Sequence, residues 1–191
     1  MEREVLITGI GGQGIQLAAK ILAQAANEEG RAVMLFGVYG GMIRGGPSDS
    51  TLVVATDAIS APPILDEAWA LIAMHPGSLA MLLAKIRPGG VVLANTTLVL
   101  ERVPRGDLSI VEVPATRLAE QAGRIVGASF VALGAFIEAT GFVSPTALLA
   151  AMRSQIPPHR RALLEFNEGC LELGRNHVRR TSHVPSTAQA W

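Results

Sequence analysis

Three glycines, Gly9, Gly11 and Gly14, follow the short apolar run Val5-Leu6-Ile7-Thr8, with Gly12 and Gln13 between the last two. A stretch of helical periodicity then runs from Gln13 to Glu29. Glycines at this spacing, between a strand and a helix, aim backbone N–H groups and the positive end of a helix dipole at one point. The chemistry on offer is the holding of an anionic group. A second loop, Tyr39-Gly40-Gly41-Met42-Ile43-Arg44-Gly45-Gly46-Pro47-Ser48, contains four glycines, one proline and one arginine. It leaves the carboxyl end of the second apolar run as the first loop leaves that of the first, and ligands of open α/β sheets bind along that edge. Arg44 offers a guanidinium fork that matches phosphate oxygens. The same composition also suits a glycine-rich connection with a surface arginine. His75 ends a further apolar run, where a turn histidine without a role is the simpler reading. The single cysteine, Cys170, makes no internal disulfide and cannot hold an iron–sulfur cluster, which takes four ligands. No catalytic residue and no metal site is assigned.

These residues need a scaffold, and the periodicity supplies one. Val5–Thr8 and Ala32–Phe36 read as buried strands, because each is continuously apolar. Between them Ile15, Ala18, Ala19, Leu22 and Ala26 fall at helical spacing and Gly30 ends the helix. Residues 4–36 are therefore one strand–helix–strand unit with a right-handed crossover. Further strands are expected at Ser50–Ala55, Ala68–Met74, Val91–Ala94 and Leu108–Val113, with Arg87–Gly90 as a turn. Helices are expected at Ser78–Ile86, after Pro114-Ala115-Thr116, at Val126–Thr140 ended by Gly141, and after Ser144-Pro145, an N-cap followed by a first-turn proline. A last helix runs from Arg160 to Leu173, closed by Gly174. The alternation gives an α/β class: a doubly wound, Rossmann-like, mostly parallel sheet with helices on both faces. Residues 1–177 form one domain, and 178–191, polar and aperiodic, form a disordered tail.

Two classes are disfavoured. A nicotinamide site wants an acidic residue about 20 positions beyond the glycines, and Met34–Tyr39 contains none. With 16 basic and 16 acidic residues the net charge is zero, which lacks the footprint of a nucleic-acid binder. No secretory leader pattern and no membrane-spanning apolar run is seen, so a soluble cytoplasmic protein is expected. Only 17% of residues are charged and 49% are hydrophobic. That suits either a compact Ala- and Leu-rich domain or a surface covered by another subunit.

The motifs together are more specific than any one of them. Gly9-Ile10-Gly11-Gly12-Gln13-Gly14, Leu17-Ala18-Ala19-Lys20-Ile21-Leu22, Tyr39-Gly40 with Arg44-Gly45-Gly46, Val113-Pro114-Ala115-Thr116 with Leu118-Ala119, Val131-Ala132-Leu133-Gly134-Ala135, and Phe166-Asn167 with Gly169 resemble the gamma subunit of the 2-oxoacid:ferredoxin oxidoreductases. The resemblance covers about residues 3–175. It implies oxidative decarboxylation of a 2-oxoacid with coenzyme A, giving acyl-CoA, CO2 and reduced ferredoxin. It implies thiamine diphosphate, magnesium and iron–sulfur clusters in partner subunits, with none bound by this chain alone. The implied partners are alpha, beta and ferredoxin-like subunits and ferredoxin, with coenzyme A at a shared site. Gly9, Gly11, Gly12, Gln13, Gly14, Tyr39, Gly40, Arg44, Gly45 and Gly46 become cofactor-binding or subunit-facing candidates. Relatives often carry Pro-Glu within the second loop and Asn where this chain has Ser129. The rival readings are a stand-alone Rossmann-like nucleotide binder and a structural homodimer. Which 2-oxoacid is used is not encoded legibly.

Overall fold

The computed structural model describes residues 1–39, 45–61, 65–157, 159, 161–181 and 189–191, without the side chains of Val38, Tyr39 and Arg161. Its six strands are β1 (Glu2–Ile10), β2 (Ala32–Tyr39), β3 (Pro47–Ala55), β4 (Ala68–Ala73), β5 (Ile86–Asn95) and β6 (Ser109–Val113). Its helices are α1 (Ile15–Glu28), α2 (Leu79–Leu83), α3 (Ala115–Gln121), α4 (Ala128–Thr140), α5 (Pro145–Gln155) and α6 (Arg161–Thr181). The strands form one sheet in the order β2-β3-β1-β4-β5-β6. β4, β5 and β6 add in parallel to β1, whereas β3 is antiparallel to both β1 and β2. Five strands therefore share one direction and β3 opposes them, so the expected α/β class with a mostly parallel sheet is what the chain adopts.

The position of β3 changes the meaning of the first unit. β1 and β2 do run parallel, but β3 lies between them. In a dinucleotide-binding unit the second strand neighbours the first. Here its end is displaced by one further strand spacing, about 5 Å.

The sheet is covered unequally. Val5, Ile7, Leu52, Val54, Ile72, Leu93 and Val111 face a thick layer made by α1, α3, α4, α5 and α6. Leu6, Val53, Leu71, Val92 and Ala94 face the opposite side, where α2 and the loop residues Leu65, Val99 and Val103 provide the cover. Local signals explain most helix ends. Ser144 Oγ accepts from Ala147 N at 3.1 Å with Pro145 in the first turn, and Gly141 closes α4 in the left-handed region at φ 62°.

Three expectations need correction. Arg87–Gly90 lies inside β5 rather than in a turn between elements, as a bulge: Ile86 pairs with Ala68 and Val91 with Ala70. α6 does not stop at Gly174; it continues to Thr181. Gly174 is buried in the crossing with α4, where a methyl group would meet Val131 O and, at 2.8 Å, Ala135 N. The reciprocal Gly134 faces Leu171, whose Cα would lie 2.9 Å from an added Cβ. The two glycines let the helix backbones touch.

The third concerns the two described ends of the expected tail, 178–181 and 189–191; residues 182–188 lie outside the described residues. Val178 is buried in the last turns of α6. Ala190 is fully buried, donating to Thr140 O at 2.8 Å and accepting from Arg3 Nε at 2.7 Å. Trp191 donates from Nε1 to Phe142 O at 2.8 Å, packs on the Phe142 ring at 5.8 Å between centroids, and has the Arg31 guanidinium 4.2 Å from its own ring centre. Docking by a few specific contacts leaves no periodicity to read. Trp191→Ala is expected to cost about 2 kcal/mol of stability, with Trp191→Phe recovering the stacking share, as urea denaturation would measure.

No helix among the described residues is long and apolar enough to cross a membrane. Cys170 is fully buried, and burial pushes its thiol up to about 11. It is an inert core residue rather than a ligand or nucleophile.

Candidate functional site

The two glycine loops meet at the carboxyl edge of the sheet. Gly11 N donates to Gly46 O at 2.9 Å, and a Cβ on Gly11 would lie 3.2 Å from Gly45 N. The first loop is closed on itself by Gln13. Its backbone N–H donates to Ile10 O at 3.1 Å, and its side-chain Oε1 accepts from Ile10 N at 2.9 Å. Its Nε2 reaches Met74 O, at the end of β4, at 3.4 Å. Gln13 is thus a clamp from the glycine loop to the neighbouring strand.

Gly14 caps α1 in the left-handed region at φ 75°, with no side-chain cap. A capping serine or aspartate would occupy the space in front of the first turn; glycine leaves it open. Three of the loop's amide groups are already taken: those of Ile10 and Gln13 within the loop, and that of Gly11 by Gly46 of the second loop. The amides of Gly12 and Gly14 have no hydrogen-bond partner among the described residues, and both residues are exposed. They and the first-turn amides of α1 are the donors left for an anion.

Ser129 comes close from a distant part of the chain. It is 3% exposed, and its Oγ would lie 3.1 Å from a Cβ on Gly14. The start of α4 therefore backs the glycine loop. An asparagine at this position would press a longer side chain into the same space.

Beside the loops lies a polar group that sequence reasoning missed. Thr8, fully buried in β1, donates from Oγ1 to Asp49 Oδ1 at 2.6 Å, and Ser78 donates to Asp49 Oδ2 at 3.3 Å. Gln16 of α1 donates to the backbone of the same residue, Asp49 O, at 2.9 Å. Asp49 ties β1, β3, α1 and the segment after β4 together. A second polar lock lies one strand further. Asn95 is fully buried at the end of β5, donating from Nδ2 to Met74 O at 3.2 Å and Thr116 Oγ1 at 2.8 Å. Its Oδ1 accepts from Thr116 N at 3.2 Å. Met74 O is shared by Asn95 and Gln13, so one carbonyl links the glycine loop to the start of α3. Polar residues in strands read as solvent-facing, which hid both locks.

His75 accepts at Nδ1 from Gly77 N at 3.1 Å and so caps a short turn, which leaves its proton on Nε2. The hydroxyls of Thr8 and Ser78 are both engaged by Asp49, and Thr8 is fully buried. The arrangement leaves the Gly12 and Gly14 amides as donors beside the N-terminus of α1. Gly45 and Gly46 are in place beside Gly11; Tyr39 pairs with Ser48 as the last residue of β2. Gly40 and Arg44 lie outside the described residues.

Residues 4–177 match the pyruvate ferredoxin/flavodoxin oxidoreductase family. The chain belongs to that family. Among its relatives is the 2-oxoglutarate synthase subunit KorC of Methanothermobacter marburgensis, 32% identical over 178 residues, covering 88% of this chain and 95% of the relative. The pyruvate/ketoisovalerate oxidoreductases common subunit gamma of Thermococcus kodakarensis is 30% identical over 156 residues, with 78% and 84% covered. The solved gamma subunit of a keto/oxoacid ferredoxin oxidoreductase from Geobacter sulfurreducens PCA superposes with a TM-score of 0.82 at 29% identity, covering 94% of this chain and 98% of that one. These relatives are subunits of oxidoreductases. The match takes in both glycine loops, the Asp49 group and the Asn95 lock, so the whole carboxyl edge belongs to the family's shared domain.

Proposed function

We propose that this chain is the gamma-type subunit of a 2-oxoacid:ferredoxin oxidoreductase, with the Gly9–Gly14 and Tyr39–Gly46 loops facing partner subunits where coenzyme A approaches. The Gly11–Gly46 hydrogen bond carries this reading. It joins two loops that are remote in sequence into one edge with amide donors to spare. A coenzyme A diphosphate suits the Gly12 and Gly14 amides at the α1 N-terminus, and the guanidinium of Arg44, which lies outside the described residues, is the charged candidate from the second loop. Iron–sulfur clusters belong to partner subunits, since the chain's one thiol is buried and a cluster takes four ligands; thiamine diphosphate is assigned to partner subunits with them. Exposed apolar residues support a covered edge: Leu17 lies in the first turn of α1, and Ile125 and Val126, more than half exposed, precede α4. Coenzyme A supplies the thiol that accepts the acyl group; this chain's part is to hold and orient the carrier.

The test is Arg44→Ala in the assembled complex. The Michaelis constant for coenzyme A is expected to rise about tenfold, the loss of one charge-assisted hydrogen bond, while the constant for the 2-oxoacid stays within twofold, or about 0.4 kcal/mol. An unchanged coenzyme A constant together with unchanged assembly would remove both the ligand-binding and the subunit-facing version.

A further inference from the structure

On the far side of the sheet from the glycine loops' neighbour β3, strand β6 ends the sheet at an open edge. Among the described residues it pairs with β5 alone. The parallel register, with Thr96 N donating to Val113 O at 2.9 Å, turns the peptide groups of Ser109, Val111 and Val113 toward β5. The peptide groups of Ile110 and Glu112 therefore face outward. His177 of α6 confirms the direction: its Nε2 donates to Glu112 O at 3.1 Å. The Ile110 N–H, the Ile110 carbonyl and the Glu112 N–H make no other hydrogen bond among the described residues.

This edge is the floor of a groove of about 940 Å³, walled on one side by His177 and Thr181 of α6 and lined also by Arg102 and Arg117. Both arginines are exposed and have no ion-pair partner among the described residues. An open strand between a helix and a loop has the geometry in which an extended peptide adds to a sheet, main-chain hydrogen bonds giving affinity and flanking side chains giving choice. The two unpaired guanidinium groups select the charge.

We propose that the β6 groove is a docking site for an extended acidic segment of another polypeptide, which adds as a strand beside Ile110 and Glu112. The site is separate from the glycine-loop edge and stands whether or not coenzyme A binds there.

The test uses the full chain and a fluorescein-labelled heptapeptide of alternating valine and glutamate, against its lysine-for-glutamate counterpart, by fluorescence anisotropy. The acidic peptide is expected to bind at least about tenfold tighter, and to slow hydrogen exchange at the Ile110 and Glu112 amides. Glu112→Pro removes an outward N–H without touching the β5 ladder, which an edge strand tolerates. It also removes a negative charge, so simple charge attraction would strengthen binding; strand addition weakens it, by about tenfold. Arg102→Glu with Arg117→Glu, at exposed positions that leave folding intact, should abolish the preference for the acidic peptide. Equal affinity for the two peptides, no binding up to about 1 mM, binding unchanged or stronger in Glu112→Pro, or no protection at the two amides under saturating peptide would each overturn the proposal.

Discussion

Gly174→Ala is expected to destabilise the protein by at least about 3 kcal/mol, enough to abolish a marginal fold. The added methyl cannot rotate away, because it would meet the Val131 carbonyl and the Ala135 amide, which are backbone. Relief requires α4 and α6 to separate, and that would open contacts of Ile137 and Leu171, both buried. Gly134→Ala should cost a similar amount from the other side. The double variant should lose far less than the sum, since the helices part only once. Gly169→Ala supplies the control. It lies in the same helix with nothing within 4 Å of its Cβ position, and it should stabilise by about 0.5 kcal/mol through helix propensity. Denaturant midpoints for the four variants decide the matter. Equal behaviour of Gly169→Ala and Gly174→Ala would show that the crossing is looser than described.

The second large effect is at Asn95. Asn95→Leu keeps the volume but strands Thr116 N, Thr116 Oγ1 and part of the demand on Met74 O in a fully buried setting. A loss of about 3 kcal/mol is expected. The consequence should also be local. Met74 O holds Gln13 Nε2, so the amides of Ile10 and Gly11 should exchange faster in Asn95→Leu than in a Trp191→Ala variant brought to the same global stability with urea. Identical exchange in both would mean that the lock does not support the glycine loop.

What the sequence displayed of all this follows physical lines. Strand positions were readable because runs such as Ala68–Ala73 are apolar throughout, and the ends of α4 and α5 because Gly141 and Ser144-Pro145 act locally. The insertion of β3 between β1 and β2 was not readable, since pairing partners leave no mark in a run like Leu52–Ala55. Gly174 misled because glycine after a periodic stretch usually ends a helix, whereas here it serves a neighbour 40 residues away in the chain. The glycine loops announced themselves by spacing. Asp49, Asn95 and Thr116 did not, because each depends on a partner from another element, and only the fold reveals the pair.

The α4–α6 crossing also bears on how the chain is made. α4 is buried on nearly every side, and its outer side is covered by the C-terminal helix. During synthesis, a nascent chain that has emerged only to Pro157 presents Val131, Gly134 and Ala135 bare, with no segment yet available to cover them. Completion of the core waits for α6, so the half-made protein carries a sticky apolar helix for the time it takes to add the remaining residues. Holding that helix apart from other chains at the ribosome is then a requirement of making this protein at all, and Gly174→Ala, by delaying α6 docking, would prolong the exposure.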